Sequence, residues 1–330
     1  MTQLSGMHHV TAITSSAEKI YEFYTNVLGL RLVKKTVNQD DINTYHLFFA
    51  DDKGNPGTDI TFFDFQGIPK AVHGNNEIAR TGFRVASDKA LSYWEKRLNH
   101  YKVENSGIKT IFNKKVLYFD DFDTQQYAIF SDENDQGVKS GTPWQKGPVP
   151  NEYAITGLGP AFINVNRIES MDNILTKVFL MRKTAKEDNN YLYEMGEGGN
   201  GASLIIHYDN STTPSYQGYG GIHHIAFRVK TTEELNAWLE RLNKLGAPNS
   251  GYVDRFYFES IYTRLYPNVL FEIATDEPGF IDDEESYEIL GETLALPPKF
   301  RNMRAYVESV VRPIDTVRSN KEFKKEYFNE

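Results

Sequence analysis

Two pentads hold half of the chain's eight histidines: Gly6-Met7-His8-His9-Val10 and Gly221-Ile222-His223-His224-Ile225. Neutral imidazole is the commonest protein ligand for a metal, so paired His at matching points of two apolar runs suggest a divalent ion. A third candidate is Glu272, alone among apolar neighbours in Val269-Leu270-Phe271-Glu272-Ile273-Ala274. A carboxylate in such a run is costly unless it is paired or bound to a cation. Two His and one carboxylate, with coordination positions left open, form the donor set of non-haem Fe(II) oxygenases. Side chains alternate along a strand, so His9 and Thr11 share a face while His8 points away unless the strand bends. Alternation alone leaves open which His of each dyad faces a cleft. His207 lies two positions off the Glu slot of its own segment and reads as structural. His46, His73 and His100 lack a partner pattern and read as ordinary core or surface. The 20 Tyr and 21 Phe read as core packing.

The elements that must position these residues recur four times. The first unit opens on an apolar run at His9–Ile13, followed by a helix with Ser15 and Glu18 as capping box and Gly29 as terminator. Ile20, Phe23, Tyr24, Val27 and Leu28 form its apolar face. Three β-rich runs follow, at Leu30–Val37, Tyr45–Ala50 and Asp59–Phe65, separated by polar or Gly/Pro turns. The order βαβββ returns at His224–Val229, a helix capped by Thr231 and Glu234, and runs at 252–258, 260–265 and 269–274. Weaker copies start at Ile78 and at Gly159. In these the slot of the second His is held by Arg80 and Gly159, so two copies carry a ligand there and two do not.

The expected fold is therefore α+β, with four βαβββ modules at about 7–66, 77–132, 153–210 and 220–276 pairing into two curved-sheet, barrel-like halves. In chain order these divide into a first domain over 1–135, a crossover at 136–152, a second domain over 153–280 and a C-terminal tail over 281–330 with a helix near Asn302–Val311. Net charge is −9, from 36 Lys plus Arg against 45 Asp plus Glu, with no basic stripe. That argues against nucleic acid and anionic membranes as partners. The absence of cysteine removes disulfides, thiolate ligands and thiol nucleophiles, and favours iron, manganese or zinc at any metal site. No apolar run nears the length of a membrane helix and the N-terminus lacks a signal core, so a cytoplasmic location is expected. Exposed sheet edges make a homo-oligomer the expected assembly.

The strings GMHHVTAIT, FYTNVLGLRLVKKTVNQDD, TYHLFFADDKGNPGTDITFFDF, GGIHHIAFRV and VLFEIATDEPGF resemble the ring-cleaving dioxygenases of the vicinal oxygen chelate (glyoxalase/bleomycin-resistance) superfamily, in the branch that opens hydroquinones. The resemblance implies Fe(II), with Mn(II) as the alternative, bound by His9, His224 and Glu272. It further implies that His8, Thr11, His223, Arg255 and Tyr262 surround the substrate hydroxyls. The substrates implied are dioxygen and a hydroquinone- or catechol-like ring, in aromatic degradation or detoxification. One departure is the turn Arg264-Leu265-Tyr266-Pro267-Asn268-Val269, where the family often has a Glu-Pro-Gly-Gly type turn; its expected effect is on the pocket rim. The competing expectations are a glyoxalase-like isomerase or transferase, which commonly uses four ligands, and a metal-free protein that sequesters aromatic compounds.

Overall fold

The computed structural model describes residues 3–281 and 284–328. Module one runs β1 (Met7–Ile13), α1 (Ala17–Glu22, prolonged by a π-helical turn at Phe23–Val27), β2 (Arg31–Asn38), β3 (Asp41–Ala50) and β4 (Asp59–Phe63). Module two runs β5 (Glu77–Val85), α2 (Asp88–His100), β6 (Asn105–Ile111), β7 (Lys114–Asp120) and β8 (Gln126–Ser131). After β9 (Ile155–Leu158), module three runs β10 (Ala161–Val165), α3 (Ile168–Asn173, with a second π-helical turn), β11 (Arg182–Glu187), β12 (Asn190–Glu194) and β13 (Ser203–Tyr208). Module four runs β14 (Ile222–Val229), α4 (Thr232–Lys244), β15 (Val253–Asp254), β16 (Phe258–Tyr266) and β17 (Val269–Pro278), and the tail carries α5 (Arg304–Val310).

Local chemistry explains most boundaries. Thr231 caps α4 as expected, its hydroxyl accepting from the Glu234 amide. The first helix is capped by Ser16, whose hydroxyl accepts from the Lys19 amide; Ser15 instead bonds the Asp123 carboxylate. Gly29 and Gly246 leave their helices at φ +65° and +66°, the left-handed region that only glycine enters at no steric cost. The run expected at 252–258 shrinks to a two-residue strand. Its remainder turns back at once, with the Arg255 amide bonded to the Phe258 carbonyl.

The modules join in two different ways. In the sheets, module one pairs with module four and module two with module three: the strand orders are β15-β16-β17-β14-β1-β4-β3-β2 and β11-β12-β13-β10-β5-β8-β7-β6. The chain-order grouping of neighbours therefore does not describe the sheets. Two such β-sheets curve into half-barrels. They share one apolar core, in which Tyr24 touches Phe49 and Phe62 of the first sheet and Phe83 and Tyr127 of the second. The helices restore the chain-order grouping. Arg97 of α2 donates to the carbonyls of Asn26 and Val27 at 2.7 Å each, satisfying the end of module one's helix. Arg241 of α4 does the same for Lys177 and Val178 in module three.

The tail lies against the first sheet. Phe280 and Leu290 pack with Val33, Phe48, Ala226 and Ala274 on its concave side. Lys34 and Glu285 form a wholly buried pair at 2.8 Å. Among the described residues no helix is long and apolar enough to cross a membrane.

Arg97 is fully buried and also reaches Glu326 at 2.6 Å. Arg97→Met strips two helix-end carbonyls of charged donors and should lower unfolding free energy by about 3 kcal/mol in urea titration. Arg241→Met, at a partly exposed position, should cost less.

Candidate metal centre

The antiparallel pairing of β1 with β14 sets His9 opposite Ala226 and Thr11 opposite His224. Beside β14, parallel β17 sets Glu272 opposite Ala226. Three ligand-type residues from distant parts of the chain thus meet on the concave face of the first sheet. Their donor atoms form a small triangle: His9 Nε2 to His224 Nε2 is 3.2 Å, His9 Nε2 to Glu272 Oε2 is 3.1 Å, and His224 Nε2 to Glu272 Oε2 is 2.9 Å. Atoms each about 2.1 Å from one ion and at right angles to each other lie about 3.0 Å apart, so the triangle fits one face of an octahedral site. All three residues are buried, and Glu272 Oε2 has no hydrogen bond of acceptable geometry. An orphaned carboxylate oxygen beside two imidazole nitrogens is what a cation would satisfy. Glu272 Oε1 is held by the Ser260 hydroxyl at 2.5 Å. Burial pushes the Glu272 carboxyl upward, but the two imidazoles outweigh it and hold it well below the usual range.

Both strands bulge at the site. Between Met7 and His9 the partner advances by one residue, so His8 is extra on β1; between Thr11 and Ala12 the partner advances by two, so His223 is extra on β14. The bulges re-aim the first His of each dyad, which strict alternation would turn away. His8 Nδ1 comes to 2.9 Å from His9 Nδ1, and His223 Nδ1 to 2.8 Å from His224 Nδ1. His8 Nε2 lies 2.9 Å from the Thr275 carbonyl. A carbonyl only accepts, so this nitrogen carries the proton. Burial pushes the His8 pKa down to about 3, leaving the ring neutral and its Nδ1 an acceptor. His9 Nδ1 must then donate, which leaves the His9 Nε2 lone pair facing Glu272 and His224, the form in which imidazole binds a metal.

Beside the triangle opens a cavity of about 310 Å³, with His223, Arg255 and Tyr262 in its wall. Of the five residues expected near a substrate, His8 and Thr11 lie instead behind the triangle. Thr11 Oγ1 is 2.9 Å from His224 Nε2 and 2.7 Å from the Thr61 hydroxyl. His46, which by sequence was an ordinary histidine, lines the cavity and bonds Thr61 at 2.9 Å. Its cue was alternation with Phe48, whose ring centroid lies 4.0 Å away. Phe48, Phe63, Phe65, Tyr257 and Phe258 also wall the cavity, so part of the aromatic content is site rather than core alone. The turn Arg264–Val269 does not line it; Leu270 does.

The second sheet shows what the same topology becomes without ligands. Ile205 lies opposite Phe162 as Glu272 lies opposite Ala226. Arg80 stacks over Tyr118 and Phe162, and Phe130, Leu192 and Val116 fill the rest of that concave side. Among the described residues His9, His224 and Glu272 are the one group of three that converges in this way.

This fold and site define a class. The Glyoxalase/Bleomycin resistance protein/Dioxygenase superfamily matches residues 6–105 and 157–281, and the chain belongs to that superfamily. It is 38% identical to MhqA of Bacillus subtilis (strain 168), provisionally named a ring-cleaving dioxygenase, over 94% of this chain and 99% of that one. It is 31% identical to the chlorohydroquinone/hydroquinone 1,2-dioxygenase of Sphingobium indicum, over 92% and 94% of the two chains. A crystal structure of a B. subtilis protein provisionally called a dioxygenase superposes with a TM-score of 0.87 at 32% identity, covering 96% of this chain and 99% of that one. Glyoxalase I from Zea mays shares the fold, with a TM-score of 0.59 at 12% identity over 82% of this chain and 92% of that one.

His9→Ala and Glu272→Ala should abolish stoichiometric divalent-metal binding in calorimetry. His8→Phe, which deletes the acceptor for His9 Nδ1–H, should weaken it by roughly 10- to 100-fold while circular dichroism is unchanged.

Proposed function

We propose that the protein is an Fe(II)-dependent dioxygenase that opens hydroquinone- or catechol-like rings with dioxygen. The observation that carries this reading is the buried His9–His224–Glu272 triangle beside a cavity walled by aromatic side chains. The superfamily and the relatives' names support ring opening by a dioxygenase, and Mn(II) is the alternative metal for such a His and carboxylate donor set. Three ligands leave coordination positions open; among the described residues no fourth His, Asp or Glu joins them, which counts against a four-ligand isomerase. An ion held there would act as Lewis acid and redox partner toward an aromatic oxygen and dioxygen.

The chain's own residues bind and orient the ring. Phe48, Phe63 and Phe258 offer faces for an aromatic substrate to stack against. Tyr262 lies opposite Glu272 across β16 and β17, on the same face of the sheet. Its hydroxyl oxygen accepts from Arg255 Nε at 3.1 Å, so its own proton is free to donate to a substrate oxygen. Burial pushes the Tyr262 phenol far above the usual tyrosine range, so it keeps that proton at neutral pH. If His224 binds metal through Nε2, its Nδ1–H donates to His223 Nδ1, and neutral His223 presents Nε2–H to the cavity. Two donors, Tyr262 and His223, then fix and stabilise developing negative charge on the ring oxygens. The cell would gain either ring breakdown or removal of a toxic hydroquinone.

Iron-loaded protein should consume oxygen with methylhydroquinone, and Glu272→Ala should not. Tyr262→Phe should lower kcat/KM by about 10²-fold with iron content unchanged. Absence of uptake with every dihydroxybenzene tried on iron-loaded wild type would refute the reading.

A further inference from the structure

Among the described residues lining the cavity, Arg255 is the one Lys or Arg side chain. It stands on the turn between β15 and β16, and three of its nitrogens are already engaged. Nε points inward to the Tyr262 oxygen at 3.1 Å. Nη1 and Nη2 point to Asp40, at 3.2 Å from Oδ1 and 3.0 Å from Oδ2. This two-pronged contact is the geometry by which arginine recognises a carboxylate, and the protein supplies that carboxylate itself. Asp40 belongs to the β2–β3 turn of module one, and Arg255 to module four. Next to Asp40, the Gln39 side chain donates to the Arg255 carbonyl at 2.6 Å, tying the two turns together at the cavity mouth.

From this we propose that Asp40 determines specificity. By filling the guanidinium fork it restricts the cavity to uncharged hydroquinone rings and rejects those that carry a carboxylate. The inference rests on the ring-opening reading and narrows its substrate class. Away from the metal ligands the rest of the lining is uncharged polar, histidine, aromatic or aliphatic, so a ring carboxylate finds no second cationic side chain there and meets Asp40, of its own sign. Apolar substituents such as methyl or halogen meet no such conflict. Asp40 is 72% exposed, so its bond to Arg255 contributes little to stability. Its effect on selection comes instead from occupying the fork and from placing negative charge where an anionic ligand would enter.

The test uses full-length wild type, Asp40→Asn and Asp40→Glu with two rings that differ by one charged group, methylhydroquinone and 2,5-dihydroxybenzoate. Affinities are measured by anaerobic calorimetry on iron-loaded protein, and oxygen uptake is measured separately. Wild type should prefer the uncharged ring. Asp40→Asn should move the ratio of the two affinities by about tenfold toward the carboxylated ring, and Asp40→Glu should keep the wild-type ratio. An unmoved ratio in Asp40→Asn, or proportional weakening of both rings, overturns the proposal, since mere loosening of Arg255 would act on both alike. Oxygen uptake with an unmoved ratio rejects the role of Asp40 alone. A shifted ratio without uptake supports that role and rejects the ring-opening reading. Failure of methylhydroquinone to bind wild type rejects both.

Discussion

The pairing of β1 with β14 is the contact on which the rest of the site depends. It joins the first strand of the first module to the first strand of the last, and its register places His9, Thr11 and His224 side by side. β4 and β17 run parallel to these two strands on either flank, so Thr61 and Glu272 follow from the same register. A slip of one residue would turn each ligand to the opposite face. The paired bulges at His8 and His223 both pin that register and bring two further rings against the ligands.

Around that seam the molecule uses each internal copy differently. The strands pair modules one with four and two with three, while Arg97 and Arg241 fasten the helices of sequence neighbours. Such an interlock gives every module two unlike partners. The concave sides of the two half-barrels differ. The second fills its concave side with Phe130, Phe162 and Ile205, and the first keeps an open cavity between the site and its mouth.

Much of the site was legible because metal chemistry demands particular residue types. The two dyads and Glu272 stand out against apolar strands, since a charged or basic group there needs a partner. The groups that shape the cavity were less visible. His46 is one residue in an alternating strand, and Asp40 sits in a polar turn of the kind found on any surface. Their significance arises from Thr61 and Arg255, which lie 15 and 215 residues away.

By itself the sequence determined the module order, the helix stops at Gly29 and Gly246, and the two His dyads and Glu272 as the residues able to ligate a metal. These follow from local physics: periodicity of apolar side chains, the permissive backbone of glycine, and the cost of a carboxylate among apolar neighbours. Only the tertiary structure decided that module one joins module four, and that His9 rather than His8 points to the centre. It alone showed that Arg255 is engaged by Asp40. Each of these depends on strand register and bulges, and register is a property of two segments brought together rather than of either segment alone.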